Sequence, residues 1–233
     1  MDAATYERYC GVEGPFGERL RAGICGGEVP CFRLTQNERC TFLRADGLCE
    51  IICTLGEEYL CDICREHPRF YTENGDVLQA GLGLCCEEAC RLVLSEPVAF
   101  VEEETGTPVP FDYRMPQAAE KYTPQEWAAQ YRRLERLDPK WDAYLDRLET
   151  CRDFAVPSHI DPAIWERLFA YFLFRHTHEH AAFCAHAVRV IQTVCAAVDA
   201  DFQELCEICR VYSSEIEYSD ENIGYMYEKT ADA

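Results

Sequence analysis

Basic residues are scarce in this chain: 22 Lys and Arg stand against 42 Asp and Glu, a formal net charge of −20. A surface of that sign repels a phosphate backbone instead of displacing its counterions, so nucleic acid is a poor partner class. Long apolar runs are missing too. No stretch of eighteen or more consecutive apolar residues occurs, and the densest, near residues 169–174, is far too short to span a bilayer. The opening residues, MDAATYERYC, hold no basic stretch leading into an apolar core, so no secretory leader or membrane is expected and the chain is expected in the cytoplasm. There is no internal repeat or low-complexity tract. Gly81-Leu-Gly83 lacks a third glycine and runs into cysteines, so it is not a dinucleotide fingerprint. A Cys-x3-Cys-x2-Cys triplet is absent as well: Cys49 and Cys53 have the first spacing, but the next cysteine is Cys61.

What the chain does have is apolar material and thiols. Hydrophobic residues make up 48% of it, enough for apolar burial to offset the entropy lost on folding. It carries 16 cysteines, and in a reducing compartment such richness points to metal ligation or redox chemistry before disulfides. Eight of them fall between Cys40 and Cys90, and five lie beyond residue 100. That density predicts a mainly α protein with an irregular, cysteine-rich metal-binding region over residues 1–97. A linker over 98–118 and an antiparallel helical bundle over 119–233 complete it. The linker is expected to be extended and solvated, because Pro97, Pro108, Pro110 and Pro116 accompany the acidic run Glu102, Glu103, Glu104.

Helical punctuation is clear from Thr123 onward. Thr123, Pro124 and Glu126 supply an N-cap, a first-turn proline and a capping-box acid for a helix to about Leu137. Asp138 and Pro139 open the next, with Trp141, Tyr144, Leu145 and Leu148 at the spacing of a buried stripe. Asp161 and Pro162 repeat the device ahead of Trp165, Leu168, Phe169 and Phe172. Further helices are expected over about 181–198, 201–212 and 220–229. His176, His180 and Cys184 would share one stripe able to hold zinc if the helix were continuous there. Cys206 and Cys209, three apart on an amphipathic helix, read as bundle core.

The most informative stretch holds Cys40, Cys49, the pair Cys61-Asp-Ile-Cys64, and Cys85-Cys86. A Cys-x2-Cys pair lets two thiolates meet one metal across a tight turn, and more distant cysteines close the coordination shell. The plainer alternative is that these are small hydrophobes packed in a core. Several blocks around them resemble the flagellin lysine-N-methylase family. These are Glu38-Arg-Cys-Thr-Phe-Leu-Arg-Ala-Asp-Gly-Leu-Cys49, Leu55-Gly-Glu-Glu-Tyr-Leu-Cys61, Cys64-Arg-Glu-His-Pro-Arg69, and Leu82-Gly-Leu-Cys-Cys-Glu-Glu-Ala-Cys-Arg-Leu-Val-Leu94. Tyr171-Phe-Leu-Phe-Arg175 and Tyr212-Ser-Ser-Glu-Ile-Glu-Tyr-Ser-Asp-Glu-Asn222 look like that family's closing helices. The chain is shorter through its middle than that family usually is.

The resemblance implies a protein-lysine N-methyltransferase that uses S-adenosylmethionine and carries an iron–sulfur cluster, acting on flagellin or another lysine-bearing protein. It implies cluster ligands Cys40, Cys49, Cys64 and Cys86, with Cys61, Cys53, Cys85 and Cys90 as substitutes. The candidate metal set is Cys40, Cys49, Cys61, Cys64 and Cys86. Methyl transfer to lysine requires a deprotonated amine aligned behind the methyl group where water is excluded. Tyr212, Glu215, Glu217 and Tyr218 are the candidate lining of such an acidic, aromatic pocket, with the alternative that this block merely caps and packs two helices. Two other classes remain open: a non-catalytic zinc or iron–sulfur module mediating protein interaction, and a redox sensor cycling Cys61 and Cys64 between dithiol and disulfide.

Overall fold

The computed structural model describes residues 1–27, 29–36, 39–116 and 121–231 and is mainly α-helical, with 54% helix and 10% strand. Residues 117 and 118 of the expected linker, and Glu38 in the first cysteine block, lie outside the described residues. The backbone forms two compact units, Met1–His67 and Pro68–Ala233. Residues 68–97, which cysteine density groups with the first region, belong to the second unit. The physical reason is packing: Phe70, Leu84, Cys90 and Leu94 all feed that unit's core.

The first unit begins with helices α1 (Ala3–Cys10) and α2 (Gly14–Ala22), followed by a two-stranded hairpin, β1 (Ile24–Cys25) and β2 (Cys31–Phe32). Asp2 caps α1 by accepting the Thr5 amide at 2.8 Å. Two short helices, α3 (Glu50–Leu55) and α4 (Asp62–Glu66), carry the later cysteines. Tyr9, Leu20, Ile24, Phe42 and Ile51 make the core, and Gly23 permits it because a side chain there would strike the Phe42 ring. Between Cys40 and Cys49 the chain closes a tight loop. The Leu43 amide donates to the Cys40 carbonyl (3.0 Å), Arg44 to Leu48 (2.9 Å) and Glu50 to Phe42 (2.8 Å), with Gly47 at φ 82° making the reversal. Partly buried neighbours such as Phe16, Phe32 and Tyr59 pack against these five, and a unit this small is commonly held by a further cross-link or metal.

In the second unit, β3 (Arg69–Asn74) and β4 (Val77–Leu82) pair antiparallel, with Phe70 opposite Gly81. Helix α5 (Glu87–Ser95) follows, then α6 (Pro124–Tyr131), α7 (Lys140–Thr150), α8 (Pro162–His176), α9 (Ala181–Val198), α10 (Phe202–Ile216) and α11 (Asp220–Ala231). Helix α9 touches α7, α8, α10 and α11. Residues 178–198 are long and apolar enough to cross a membrane, but 67% of that stretch is buried inside the protein, as a core helix should be. The capping box of Thr123 and Glu126 forms as the sequence predicts, and Asp161 accepts the Ala163 amide at 3.0 Å.

Three expectations give way to tertiary contacts. The helix from Thr123 stops at Tyr131 rather than Leu137: the Arg133 and Leu134 amides turn to carbonyls three residues back, the Glu135 amide donates to Asn222 Oδ1 at 2.9 Å, and the Leu137 and Asp138 amides donate to the Glu215 carboxylate at 2.9 and 2.8 Å. A continuous stripe of His176, His180 and Cys184 does not exist, since Thr177 takes φ 64° and breaks the helix between α8 and α9. The stretch after Pro97 is not simply solvated. Phe100 and Phe111 lie 4.4 Å apart by ring centroids, and both rings contact Phe174 of α8, at 4.9 and 5.6 Å.

Candidate metal centre

Four of the five expected ligands, Cys40, Cys49, Cys61 and Cys64, lie in the first unit. Cys49 and Cys61 occupy the N-cap positions of α3 and α4, both with extended backbone. The Cys61 thiol is pulled from an ordinary 9.0 to about 6. A hydrogen bond with the Cys64 thiol is the main cause, and the Cys64 amide adds to it against the opposing effect of burial. Cys64 moves the other way, pushed up by its bond to Cys61, then by burial, then by repulsion from Cys61, Cys40 and Cys49. The two thiols thus titrate as a coupled pair that shares a proton. The Tyr9 hydroxyl is pushed up by burial and then by Cys61, Cys64 and Cys49; it donates to the Tyr59 carbonyl at 2.6 Å. One electrostatic neighbourhood therefore holds thiols from three separated stretches of chain.

Access to this neighbourhood is graded. Cys61 is buried, Cys40 and Cys49 are half-buried, and Cys64 is exposed. In chemistry the donors suit a thiolate-bound metal group: four soft sulfur ligands, one of them ionised near neutral pH. Among the described residues, however, no three His, Cys, Asp or Glu side chains are gathered around one ion position. Tetrahedral zinc, with sulfurs at about 2.3 Å, would require them roughly 3.8 Å from one another.

Other cysteines fall elsewhere. Cys53 is exposed one turn beyond Cys49 in α3, and Cys10 and Cys31 are also exposed. Cys86, the fifth expected ligand, N-caps α5 in the second unit. Cys85 contacts Tyr218 there, and its thiol is pushed up chiefly by burial. Cys90 is fully buried and donates to the Cys206 carbonyl at 3.4 Å, with Cys209 also beside it.

The four expected pocket residues do not line a common cleft. Tyr212 is fully buried, its hydroxyl 3.2 Å from that of Tyr131 and its ring edge-on to Trp141. Glu215 is also fully buried and is occupied by the Leu137 and Asp138 amides and by Arg136. Glu217 accepts from His176 Nε2 (2.7 Å) and Tyr171 Oη (3.0 Å) and forms an ion pair with Arg175, whose Nε lies 3.3 Å away. Burial raises its carboxyl, but Arg175 and His176 outweigh that and hold it below the usual range. Only Tyr218 is appreciably exposed, at 44%. Its ring lies under the Arg175 guanidinium, 4.9 Å from the centroid, and burial followed by Cys85 pushes its phenol up to about 12.

A network around Glu217, not anticipated above, ties these residues together. Arg175 donates to Tyr171 Oη (3.0 Å) and to the Glu217 carbonyl (3.2 Å). Tyr171 Oη also accepts the Leu84 amide at 3.2 Å, and His176 Nδ1 lies 2.6 Å from Tyr227 Oη. A signal was present in Tyr171-Phe-Leu-Phe-Arg175, whose two polar residues sit four apart within an otherwise apolar run and so share a helix face. Gly83 completes the arrangement, since a side chain there would meet the Tyr218 hydroxyl and Arg175.

No protein-family model, curated protein or solved structure matches this chain.

Proposed function

We propose that the first unit carries an iron–sulfur cluster on Cys40, Cys49, Cys61 and Cys64, and that the chain is a flagellin lysine-N-methylase-like protein that methylates lysine side chains with S-adenosylmethionine. The observation that carries the reading is the convergence of these four thiols in one electrostatic neighbourhood. When bound, such a cluster supplies a cross-link for a thinly cored unit and a centre for one-electron chemistry. The Cys61–Cys64 pair, whose shared proton lowers the Cys61 thiol, would supply thiolate to it. Excess carboxylates draw in a lysine-rich partner. Tyr218, exposed and protonated at neutral pH, can orient an amine through its hydroxyl, whereas Glu215 and Glu217 act only by holding helices and neighbours in place.

A second reading, a non-catalytic metal-binding module, draws support from the enclosure of both those carboxylates, each already held by buried partners. Anaerobic purification with iron, sulfide and zinc analysis, followed by labelled methyl transfer to flagellin, separates the two. Matched iron and sulfide with transfer supports the first. A loaded cluster without transfer leaves the module. Protein with neither iron nor zinc refutes both.

A further inference from the structure

We infer that a pocket in the second unit, where the chain entering α6 and the chain leaving α7 meet α9, binds a small phosphate monoester that carries a flat ring. The pocket measures about 390 Å³, within the range of small-ligand sites. Lys121, Arg152 and Arg189 line it, together with Asp153 and the rings of Tyr122 and Phe154.

Its charge runs against that of the chain. Three cations stand with one carboxylate here, in a sequence with 42 acids and 22 bases. The larger cavity at the start of α10, about 710 Å³, is instead lined mostly by carboxylates. Glu126, next to the pocket in sequence, is occupied: its Oε2 accepts the Thr123 amide at 2.8 Å and the Thr123 hydroxyl at 3.0 Å. Two of the three cations are guanidinium groups, whose planar fork matches phosphate oxygens in a way an ammonium does not. Among the described residues Arg152 has no hydrogen-bond or ion-pair partner, so an anion meets it without displacing a carboxylate.

The walls are set by the packing beneath them. Tyr122 lies edge-on to the fully buried Trp127, with ring centroids 5.3 Å apart, and Phe154 packs against the unit's core. The Ala155 amide donates to Thr193 Oγ1 at 3.1 Å, and the Thr193 hydroxyl donates to the Arg189 carbonyl at 2.8 Å. The segment bearing Arg152 and Phe154 is thereby tied to the turn of α9 that bears Arg189. Arg189 is steadied at its tip by the Pro116 carbonyl, 3.0 Å from Nη2, and the Lys121 ammonium lies over the Tyr122 ring, 5.5 Å from its centroid. Rings standing beside cations suit a ligand in which an aromatic group adjoins a phosphate.

Titration calorimetry on the full chain, with or without a metal centre, tests this with phenyl phosphate, inorganic phosphate and benzyl alcohol. Phenyl phosphate should bind saturably, roughly tenfold or more tighter than either of the others, and more weakly as salt rises. Arg152→Gln should weaken both phosphates roughly tenfold. Phe154→Leu should weaken phenyl phosphate roughly fivefold while leaving inorganic phosphate unchanged. Arg133→Gln, at an exposed arginine outside the pocket, should alter neither, which separates a site from general attraction. Absence of saturable binding, inorganic phosphate as tight as phenyl phosphate, or equal effects of Arg152→Gln and Arg133→Gln at unchanged circular dichroism would overturn the inference.

Discussion

Glu217 offers a severe test of how the second unit is held together. Its side chain is fully enclosed and faces Arg175, itself only 9% exposed, as well as His176. Replacing it with leucine leaves a guanidinium buried without its counter-charge, and breaking a buried pair from one side costs roughly 3–5 kcal/mol. At about 2–4 °C per kcal/mol for a unit of this size, the melting temperature should fall by roughly 6–20 °C. All three tryptophans, Trp127, Trp141 and Trp165, lie in the second unit, so urea and thermal unfolding followed by their fluorescence report on it alone. The double variant Glu217→Leu/Arg175→Met removes both charges and should recover part of that loss, because an apolar pair replaces the ionic one. In the unaltered protein the depressed carboxyl value makes Glu217 stabilising above the unfolded value near 4.5. That stabilisation should drain away as pH falls through the lower folded value. A single-variant cost under about 1 kcal/mol, or a double variant costing the sum of its parts, would show that the ionic contact carries no weight.

Other outcomes follow from the same geometry. Cys49→Ser and Cys64→Ser should each lower iron content by more than half under anaerobic reconstitution, while Cys195→Ser, in the α9 core, should leave it unchanged; equal loading in all three would remove the ligand assignment. Thr123→Ala deletes the capping box of α6 and should cost about 1 kcal/mol in urea unfolding. Gly83→Ala forces Tyr218 and Arg175 aside and should cost roughly 1–3 kcal/mol; a neutral result would mean those side chains move freely.

Helical periodicity and capping chemistry were legible in the sequence because both are local. Thr123 with Glu126, and Asp161 with Pro162, start helices where their residue types say they must. The end of α6 was not legible, since the amides beyond it are taken by Asn222 and Glu215, more than seventy residues away in sequence. The break at Thr177 was hidden for a related reason: a non-glycine residue with positive φ carries no compositional mark. The contact between Cys61 and Cys64 could be anticipated from their spacing. The allocation of Cys86 to the second unit could not, because it follows from where Leu84 and Cys90 find their packing partners. Likewise, a carboxylate in a distinctive block reads the same whether it awaits a ligand or ties down a loop. Only burial and partners separate these roles for Glu215.

The aromatic clasp of Phe100, Phe111 and Phe174 bears on how the chain can be altered. Between the clasped rings, Val101 pairs with Pro108 across a turn that reverses at Gly106, and this tip protrudes with all of its side chains in solvent. Extra residues spliced in at Gly106 would balloon outward from a fixed base without disturbing anything beneath. The tip is therefore the natural graft point for an epitope or a fluorophore, and a place where related chains could grow longer while keeping the same helices below.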